Sequence, residues 1–236
     1  MSGHSKWSTI KRAKGVTDAK RGGLFTKLSN AISITVREGG GGDVNFNFKL
    51  RLAVDKAKEA NMPKDNIARA IDKGLGKGEG ISLENATYEG FGPGGVAVVV
   101  ETITDNKTRT GAALRNFFSK AGGSLGSPGA VSYLFNRLGC LSVLRAEQVF
   151  EKALEAEAED VEESEEGFFV YTKAEDLHKV KERLENLGLK ISESEIVYRP
   201  NKETLVQLDG AKIEAVEKFL EELSDLDDVH NVFVNM

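Results

Sequence analysis

The chain has a single cysteine, Cys140, which excludes an internal disulfide framework and any metal site built from several thiolates. Its three histidines, His4, His178 and His230, stand far apart with no helical ligand spacing, and no H-E-x-x-H, C-x-x-C or G-x-x-x-x-G-K run is present. No apolar run approaches the roughly 18–20 residues that span a bilayer. The basic residues of the opening MSGHSKWSTIKRAK are followed by no apolar stretch, so they do not read as a secretory signal. These absences lead us to expect a chain with no cofactor, no metal and no membrane partner. What remains is ordinary for a globular protein: 236 residues, 40% hydrophobic and 29% charged. That is enough for two or three domains that bury roughly 70% of their unfolded surface without a covalent or metal staple.

Charge is the first positive signal. The net charge of −5 conceals a segregation: residues 1–80 carry 16 Lys and Arg against 8 Asp and Glu, a net of +8, whereas residues 81–236 carry 16 against 29, a net of −13. Within residues 1–37, eight basic residues face one acid, Asp18. A basic module ahead of an acidic body suggests that the first part meets a polyanion. The bland alternative is a basic segment neutralised by the protein's own acidic half.

Periodicity organises the rest. Residues 1–23 show no apolar period. From Leu24, the positions Phe25, Leu28, Ile32 and Val36 follow a helical spacing that ends at Gly39–Gly42. Phe46, Leu50, Val54 and Ala57 give a second helix, ended by Asn61. Pro63 fits the first turn of a third helix with Ile67, Ala70 and Ile71 inward, stopped by Gly74. Three short amphipathic helices read as a small bundle, followed by a glycine-rich linker to residue 80. Beyond it, Val96–Ile103 reads as a strand, Thr108–Ala121 as a helix and Ala130–Phe135 as a strand. The series Cys140–Leu144, Ala146–Ala158, Asp160–Glu163, Phe168–Thr172, Ala174–Leu187 and Ile191–Tyr198 has the order β-α-β-β-α-β, the ferredoxin-like signature. A strand at Glu203–Leu208, a helix at Lys212–Leu223 and a strand at Val229–Val234 follow. The fold class is therefore α+β and multidomain: an N-terminal three-helix bundle plus two α+β domains, the ferredoxin-like one inserted into the other. The expected boundaries are 1–80 for the basic helical domain with its arm, 81–138 with 201–236 for the discontinuous domain, and 139–200 for the insert.

Two motifs match catalytic or cofactor patterns by letter and fail on context. Gly90–Gly95 (GFGPGG) matches G-x-G-x-x-G, but it precedes a strand, whereas the dinucleotide loop follows a strand and opens a helix. It reads as a Gly/Pro turn, or as a place where backbone approaches a partner. Gly122–Gly126 (GGSLG) matches the nucleophile elbow but lies after a helix and before a strand, the reverse of the required order. No paired carboxylates, nucleophile–base pair or ligand cluster can be placed, so no catalytic residue is assigned and an enzyme is not expected.

What survives is a basic array: Lys6, Trp7, Lys11, Arg12, Lys14, Lys20, Arg21 and Lys27. Such an array attracts phosphate backbones through counterion release. Trp7 would stack on a base or sugar, or else anchor the arm to the bundle. A second candidate surface combines Lys64, Asn66 and Arg69 of the third helix with Lys107, Arg109 and Arg115, where Asp105 or Thr108 would cap the helix that follows. The alternative there is plain capping beside a solvated face.

These residues carry a resemblance. Gly3-His4-Ser5-Lys6-Trp7, Asp18-Ala19-Lys20-Arg21, Phe25-Thr26-Lys27, Asn61-Met62-Pro63-Lys64-Asp65-Asn66-Ile67 with Arg69-Ala70-Ile71, Tyr88 through Ala97 (YEGFGPGGVA), and Thr104-Asp105-Asn106 with Arg109-Thr110 resemble the YebC/PmpR family. Its mitochondrial relatives are translational activators of a cytochrome oxidase subunit. The likeness runs end to end and weakens after about residue 140. It implies three domains, one ferredoxin-like and inserted, and no established catalytic site. It also implies a bacterial, cytoplasmic, non-enzymatic regulator, described in the family as a probable transcriptional regulator of duplex DNA. Other members associate with the ribosome and ease the synthesis of difficult stretches such as consecutive prolines, so rRNA or tRNA is the alternative partner. By position, Lys6, Trp7, Lys11, Lys14, Lys20, Arg21 and Lys27 match the family's basic N-terminal motif. The oligomeric state stays open.

Overall fold

The computed structural model describes residues 18–39, 41–77, 83–164 and 167–236. These residues form seven α-helices and two four-stranded antiparallel sheets, an α+β multidomain fold. They fall into two compact units. One comprises Leu134–Leu205 with Asn235; the other comprises the described residues up to Tyr133 with Val206–Val234 and Met236. Among the described residues no helix is long and apolar enough to cross a membrane.

The larger unit begins with three helices: α1 (Asp18–Glu38), α2 (Phe48–Glu59) and α3 (Lys64–Gly74). Their shared core is Leu28, Ile32, Val36, Leu50, Val54, Ala57, Met62, Ile67 and Ala70. The helical spacings read from the sequence mark these buried stripes except at Phe46, which precedes α2 and is 89% exposed, and each large apolar side chain buried there contributes about 1.5–3 kcal/mol. Asn47 caps α2: its Oδ1 accepts from the Leu50 N–H at 3.0 Å, while its Nδ2 donates to the carbonyls of Thr35 and Gly41. Helices α1 and α3 meet closely at Gly74, where a Cβ would lie 2.6 Å from the Ser33 carbonyl and 2.7 Å from Val36 Cβ. Ser33 Oγ donates to the Ala70 carbonyl at the same contact.

The sheet of this unit has the order β3-β1-β2-β8, with β1 at Glu84–Phe91, β2 at Ala97–Thr104, β3 at Ser124–Leu125 and β8 at Val229–Val234. Helices α4 (Lys107–Lys120) and α7 (Gly210–Asp225) bury Leu114, Phe118, Val216, Phe219 and Leu220 against Val98 and Val100. Phe118 and Phe219 stack edge to face at 5.2 Å. A further cluster joins Ala31 and Ile34 of α1 to Leu83 and Ile103. Helix α1 thus buries one stripe in the bundle and another against the sheet region.

The smaller unit has the order β4-α5-β5-β6-α6-β7, with β4 at Phe135–Leu144, α5 at Val149–Glu155, β5 at Asp160–Glu163, β6 at Gly167–Lys173, α6 at Leu177–Asn186 and β7 at Ile191–Pro200. Its sheet runs β5-β6-β4-β7, the ferredoxin-like arrangement that the element order implied. Leu141, Val143 and Val170 pack under Val149, Ala153, Val180 and Leu184 of the two helices.

Two expected strands are absent, and one strand was not expected. Ala130–Phe135 is not a strand: a 3₁₀ turn occupies Ser132–Leu134, and β4 then runs unbroken from Phe135. The cause is Glu89, whose carboxylate collects the N–H groups of Gly129, Val131 and Ser132 and folds that segment into a turn. Glu203–Leu208 is not a strand either. Thr204 Oγ1 bonds the carbonyls of Asn201 and Leu134, holding a 3₁₀ turn at Lys202–Thr204. Strand β1 escapes sequence-based detection because its sequence, ENATYEGF, sets Thr87, Tyr88 and Phe91 among residues depleted in strands and shows no β-branched run. It forms by pairing with β2 along its whole length.

Candidate nucleic-acid interface

Five of the predicted residues, Lys6, Trp7, Lys11, Arg12 and Lys14, lie outside the described residues. Lys20 and Arg21 lie in the first turn of α1. Lys27, further along α1, is half-buried, and its Nζ donates to the Ser224 carbonyl of α7. Its ammonium is engaged inside the unit, which ties the bundle to the C-terminal helix.

Helix α3 carries two stripes. Ile67, Ala70 and Gly74 face the core, and Asn66, Arg69 and Lys73 run beside them at spacings of 3 and 4. The second stripe faces α1 across a cleft of about 340 Å³. From α1 come Phe25, Thr26, Ser29 and Asn30; from the turn before α3 comes Met62. The Arg69 guanidinium donates to Asn66 Oδ1 at 2.5 Å and to the Asp65 carbonyl at 3.2 Å. Lys73 Nζ donates to Asn30 Oδ1 at 3.4 Å. Neither Arg69 nor Lys73 forms an ion pair with a described carboxylate, and neither does Lys64, which is exposed in the first turn. Sequence reasoning singles out Asn66 and Arg69 and misses Phe25, Asn30, Met62 and Lys73. The polar stripe on α3 is the signal that would find Lys73; Phe25 and Met62 pack on the bundle core and no sequence signal marks them as cleft residues.

The cations at the start of α4 are arranged differently. Lys107 pairs with Glu84 at 2.6 Å, and Arg109 pairs with Asp105 at 2.6 Å and Asp228 at 3.3 Å. Hydrogen bonds from Asp105 and Asp228 hold the Arg109 guanidinium's pKa above its ordinary value. Thr110 Oγ1 lies 2.6 Å from Asp228 Oδ2 and 2.8 Å from Thr104 Oγ1. The cap is Asn106, whose Oδ1 accepts from the Arg109 N–H, rather than Asp105 or Thr108. Asp105 is held instead by the Arg109 side chain. Arg115 is exposed on the next turns of α4. This motif thus joins the helix N-terminus to the turn before β8.

The glycine run closes the β1–β2 hairpin. Gly94 and Gly95 adopt φ of +71° and +78°, a region that side chains other than glycine rarely enter. Glu89, 8% exposed, accepts from Gly129 N at 2.9 Å and from Val131 and Ser132 N at 2.8 Å. Burial raises its pKa, but the three amides outweigh burial and hold the carboxyl below its ordinary value. Ser124 of the elbow-like motif sits in β3, paired with Phe91. Among the described residues no group of three or more His, Cys, Asp or Glu is placed to hold a metal ion.

In the smaller unit the densest polar cluster surrounds Arg199. Its guanidinium pairs with Asp160 at 2.8 Å and with Glu162, and lies 4.2 Å from the Tyr171 ring centre. Burial pushes the Tyr171 phenol up; burial also raises Asp160, but the hydrogen bonds from Arg199 and the Val161 N–H together with the charges of Arg199 and Lys202 outweigh it and hold that carboxyl below its ordinary value. Every charge in this cluster has an internal partner.

Comparison with known proteins accounts for these motifs. The model of the TACO1/YebC protein N-terminal domain matches residues 5–77, and that of the TACO1/YebC second and third domain matches residues 83–236. A probable transcriptional regulatory protein of Trichlorobacter lovleyi is 49% identical over 100% of this chain and 95% of its own. One of Acidithiobacillus ferrooxidans is 50% identical over 100% of this chain and 94% of its own. The crystal structure of a conserved hypothetical protein from Aquifex aeolicus matches with a TM-score of 0.85 at 46% identity, covering 97% of this chain and 95% of that one. On these matches, which run through the bundle and both α+β parts, the chain belongs to the TACO1/YebC family.

Proposed function

We propose that this chain is a non-enzymatic regulatory protein that acts by binding nucleic acid through its basic N-terminal region, with duplex DNA as the target. The observation that carries this reading is where positive charge is left uncompensated. In the bundle Lys64, Arg69 and Lys73 form no ion pair with a described residue, whereas Lys107, Arg109 and Arg199 are neutralised by their own carboxylates; beside this stands the net +7 that residues 1–37 carry in the sequence. Cations of the first kind contact phosphates, giving affinity and position without sequence information. The relatives' name, probable transcriptional regulatory protein, agrees with a DNA target. The test replaces Lys6, Lys11, Lys14, Lys20 and Arg21 with Ala and titrates a labelled duplex at several salt concentrations. Binding should weaken strongly, and its log–log salt slope should flatten by about 0.9 for each phosphate that the variant no longer neutralises, with little change in melting temperature. Unchanged binding rejects the reading.

One observation favours a second reading, in which the same surface meets rRNA or tRNA on the ribosome. A helix that reads a major groove presents a convex face of base-reading side chains. The solvent side of α3 instead alternates Lys64 and Arg69 with Asp65 and Asp72, and its amides face a concave cleft. Gradient sedimentation of gently lysed cells separates the two readings. Co-migration with ribosomes that RNase abolishes supports the ribosomal one; migration at the top of the gradient with and without RNase supports the DNA regulator.

A further inference from the structure

We infer that the cleft between α1 and α3 holds a single unpaired nucleotide. Its base would lie against Phe25 and Met62, with the base edge on the amides of Asn30 and Asn66 and a phosphate on Arg69 and Lys73. The inference rests on the nucleic-acid reading above and names the chemical form that one site takes.

Geometry sets the occupant. Gly74 and Ser33 lock the two helices together at the C-terminal end of α3, and the cleft lies on the N-terminal side of that lock on α1. Its volume of about 340 Å³ stands at the low end of the roughly 300–1,000 Å³ range of small-ligand sites. That suits one nucleotide and is far too small for a duplex, whose bases enter such a cleft only when unstacked. The lining has the three surfaces that a nucleotide requires. Phe25 is half-buried and Met62 buried, both packed on the bundle core, and the edges of them that line the cleft give it an apolar, polarisable side against which a base can stack. Asn30 and Asn66 have their carbonyl oxygens bound by Lys73 and Arg69, and their Nδ2 groups make no hydrogen bond to a described residue. An amide beside a base edge both donates and accepts, which suits a purine or pyrimidine edge better than it suits a purely anionic ligand. Arg69 and Lys73 supply charge that no described carboxylate cancels, and Arg69 is exposed at the rim, where a phosphate would lie.

The test uses the full chain and fluorescence anisotropy with single strands of about twelve nucleotides, within the span that single-strand binders occupy. One strand is RNA and one DNA, and a duplex of the same sequence is the third probe. Phe25→Leu and Asn66→Ala change no charge, so the general phosphate attraction stays intact. Each should weaken single-strand binding about tenfold, the scale of one base-stacking interaction, and duplex binding less than about twofold. Melting temperature should not change. Loss confined to RNA assigns a ribonucleotide, and equal loss on RNA and DNA assigns a nucleotide of either sugar. Single-strand affinity equal to wild type in both variants overturns the inference, as does an equal loss on all three probes. Wild-type protein that binds none of the probes rejects the nucleic-acid reading itself, a distinguishable result. If Phe25→Leu impairs folding, Asn66→Ala decides, together with photocrosslinking of a 4-thiouridine strand to wild type. Crosslinks in the peptides containing Phe25 or Met62 are expected, and crosslinks found only elsewhere overturn the site.

Discussion

Replacing Glu89 with Gln should unlock the loop at Gly126–Ser132 and lower the stability of the larger unit. The magnitude follows from the three amides that the carboxylate holds. One oxygen accepts from Gly129 N and the other from both Val131 N and Ser132 N. The best orientation of Gln keeps its carbonyl oxygen on the latter pair and turns its NH₂ toward the Gly129 N–H, donor against donor. One buried donor is then left unmade, at about 1–3 kcal/mol, and the remaining two bonds lose their charge assistance. The total is about 2–4 kcal/mol. For a unit of this size that corresponds to a fall in melting temperature of roughly 4–16 °C, and the amides of residues 129–132 should exchange faster with solvent. The pH dependence has a definite sign. The folded-state pKa of Glu89 is depressed, so its contribution is complete above the ordinary carboxylate pKa and is lost as pH falls through the depressed one. The gap between wild type and Glu89→Gln should therefore be full at neutral pH and close below about pH 4. Thermal melts at neutral and acid pH, with hydrogen exchange on the loop, provide the assay. Melting within about 1 °C of wild type at neutral pH, or a gap that widens in acid, would refute the reasoning.

Gly74→Ala places a methyl group 2.6 Å from the Ser33 carbonyl, so α1 and α3 must separate; a cost of about 1–3 kcal/mol is expected in a thermal melt, and an unchanged transition would show that the helices yield freely. Arg199→Met leaves Asp160 and Glu162 side by side without their shared cation, and it should destabilise the smaller unit by about 2–4 kcal/mol at neutral pH. Because Asp160 is held below its ordinary pKa, that loss should shrink in acid; a loss independent of pH would assign the effect to packing over Tyr171 instead.

The fold was legible where burial imposes a period. Leu28, Ile32 and Val36 announce the bundle face of α1, and Leu177, Val180 and Leu184 that of α6, because a stripe must be apolar to be buried. It was illegible where distant partners decide. Strand β1 has only mixed strand propensity, with Thr87, Tyr88 and Phe91 among Glu, Asn, Ala and Gly, and is held by β2 and β3 pairing with its two edges. The turn at Ser132–Leu134 overrides a strand-like AVSYLF because a carboxylate more than 40 positions earlier gathers its amides. The candidate site divides in the same way. Charge segregation needs no structure to be seen, whereas Asn66 and Arg69 are read as side chains that an exposed helix after Pro63 would offer. Phe25 and Met62 carry neither mark: both pack on the bundle core, and that they also line the cleft shows only once α1 and α3 are placed.

The motifs that carry the family likeness separate into two kinds once their polar atoms are followed. Glu89, Asn106, Arg109 and Thr110 direct their charged or polar groups at other parts of the same unit: loop amides, a helix N-terminus and Asp228. Gly94 and Gly95 supply a backbone conformation to the hairpin. A motif can be long and specific for such reasons without touching a partner. Arg69 differs, as does Lys73 beside it on α3: the two cations bind only neutral oxygens and have no carboxylate among the described residues. Internal satisfaction, rather than motif length, is the physical criterion by which we propose to separate a stabilising motif from a binding one. It has a measurable consequence, because the two kinds fail along different axes. Substitutions at Glu89 or Thr110 lower the melting temperature with nucleic-acid affinity per folded molecule retained. Substitutions at Asn66 or Arg69 lower affinity with melting temperature retained.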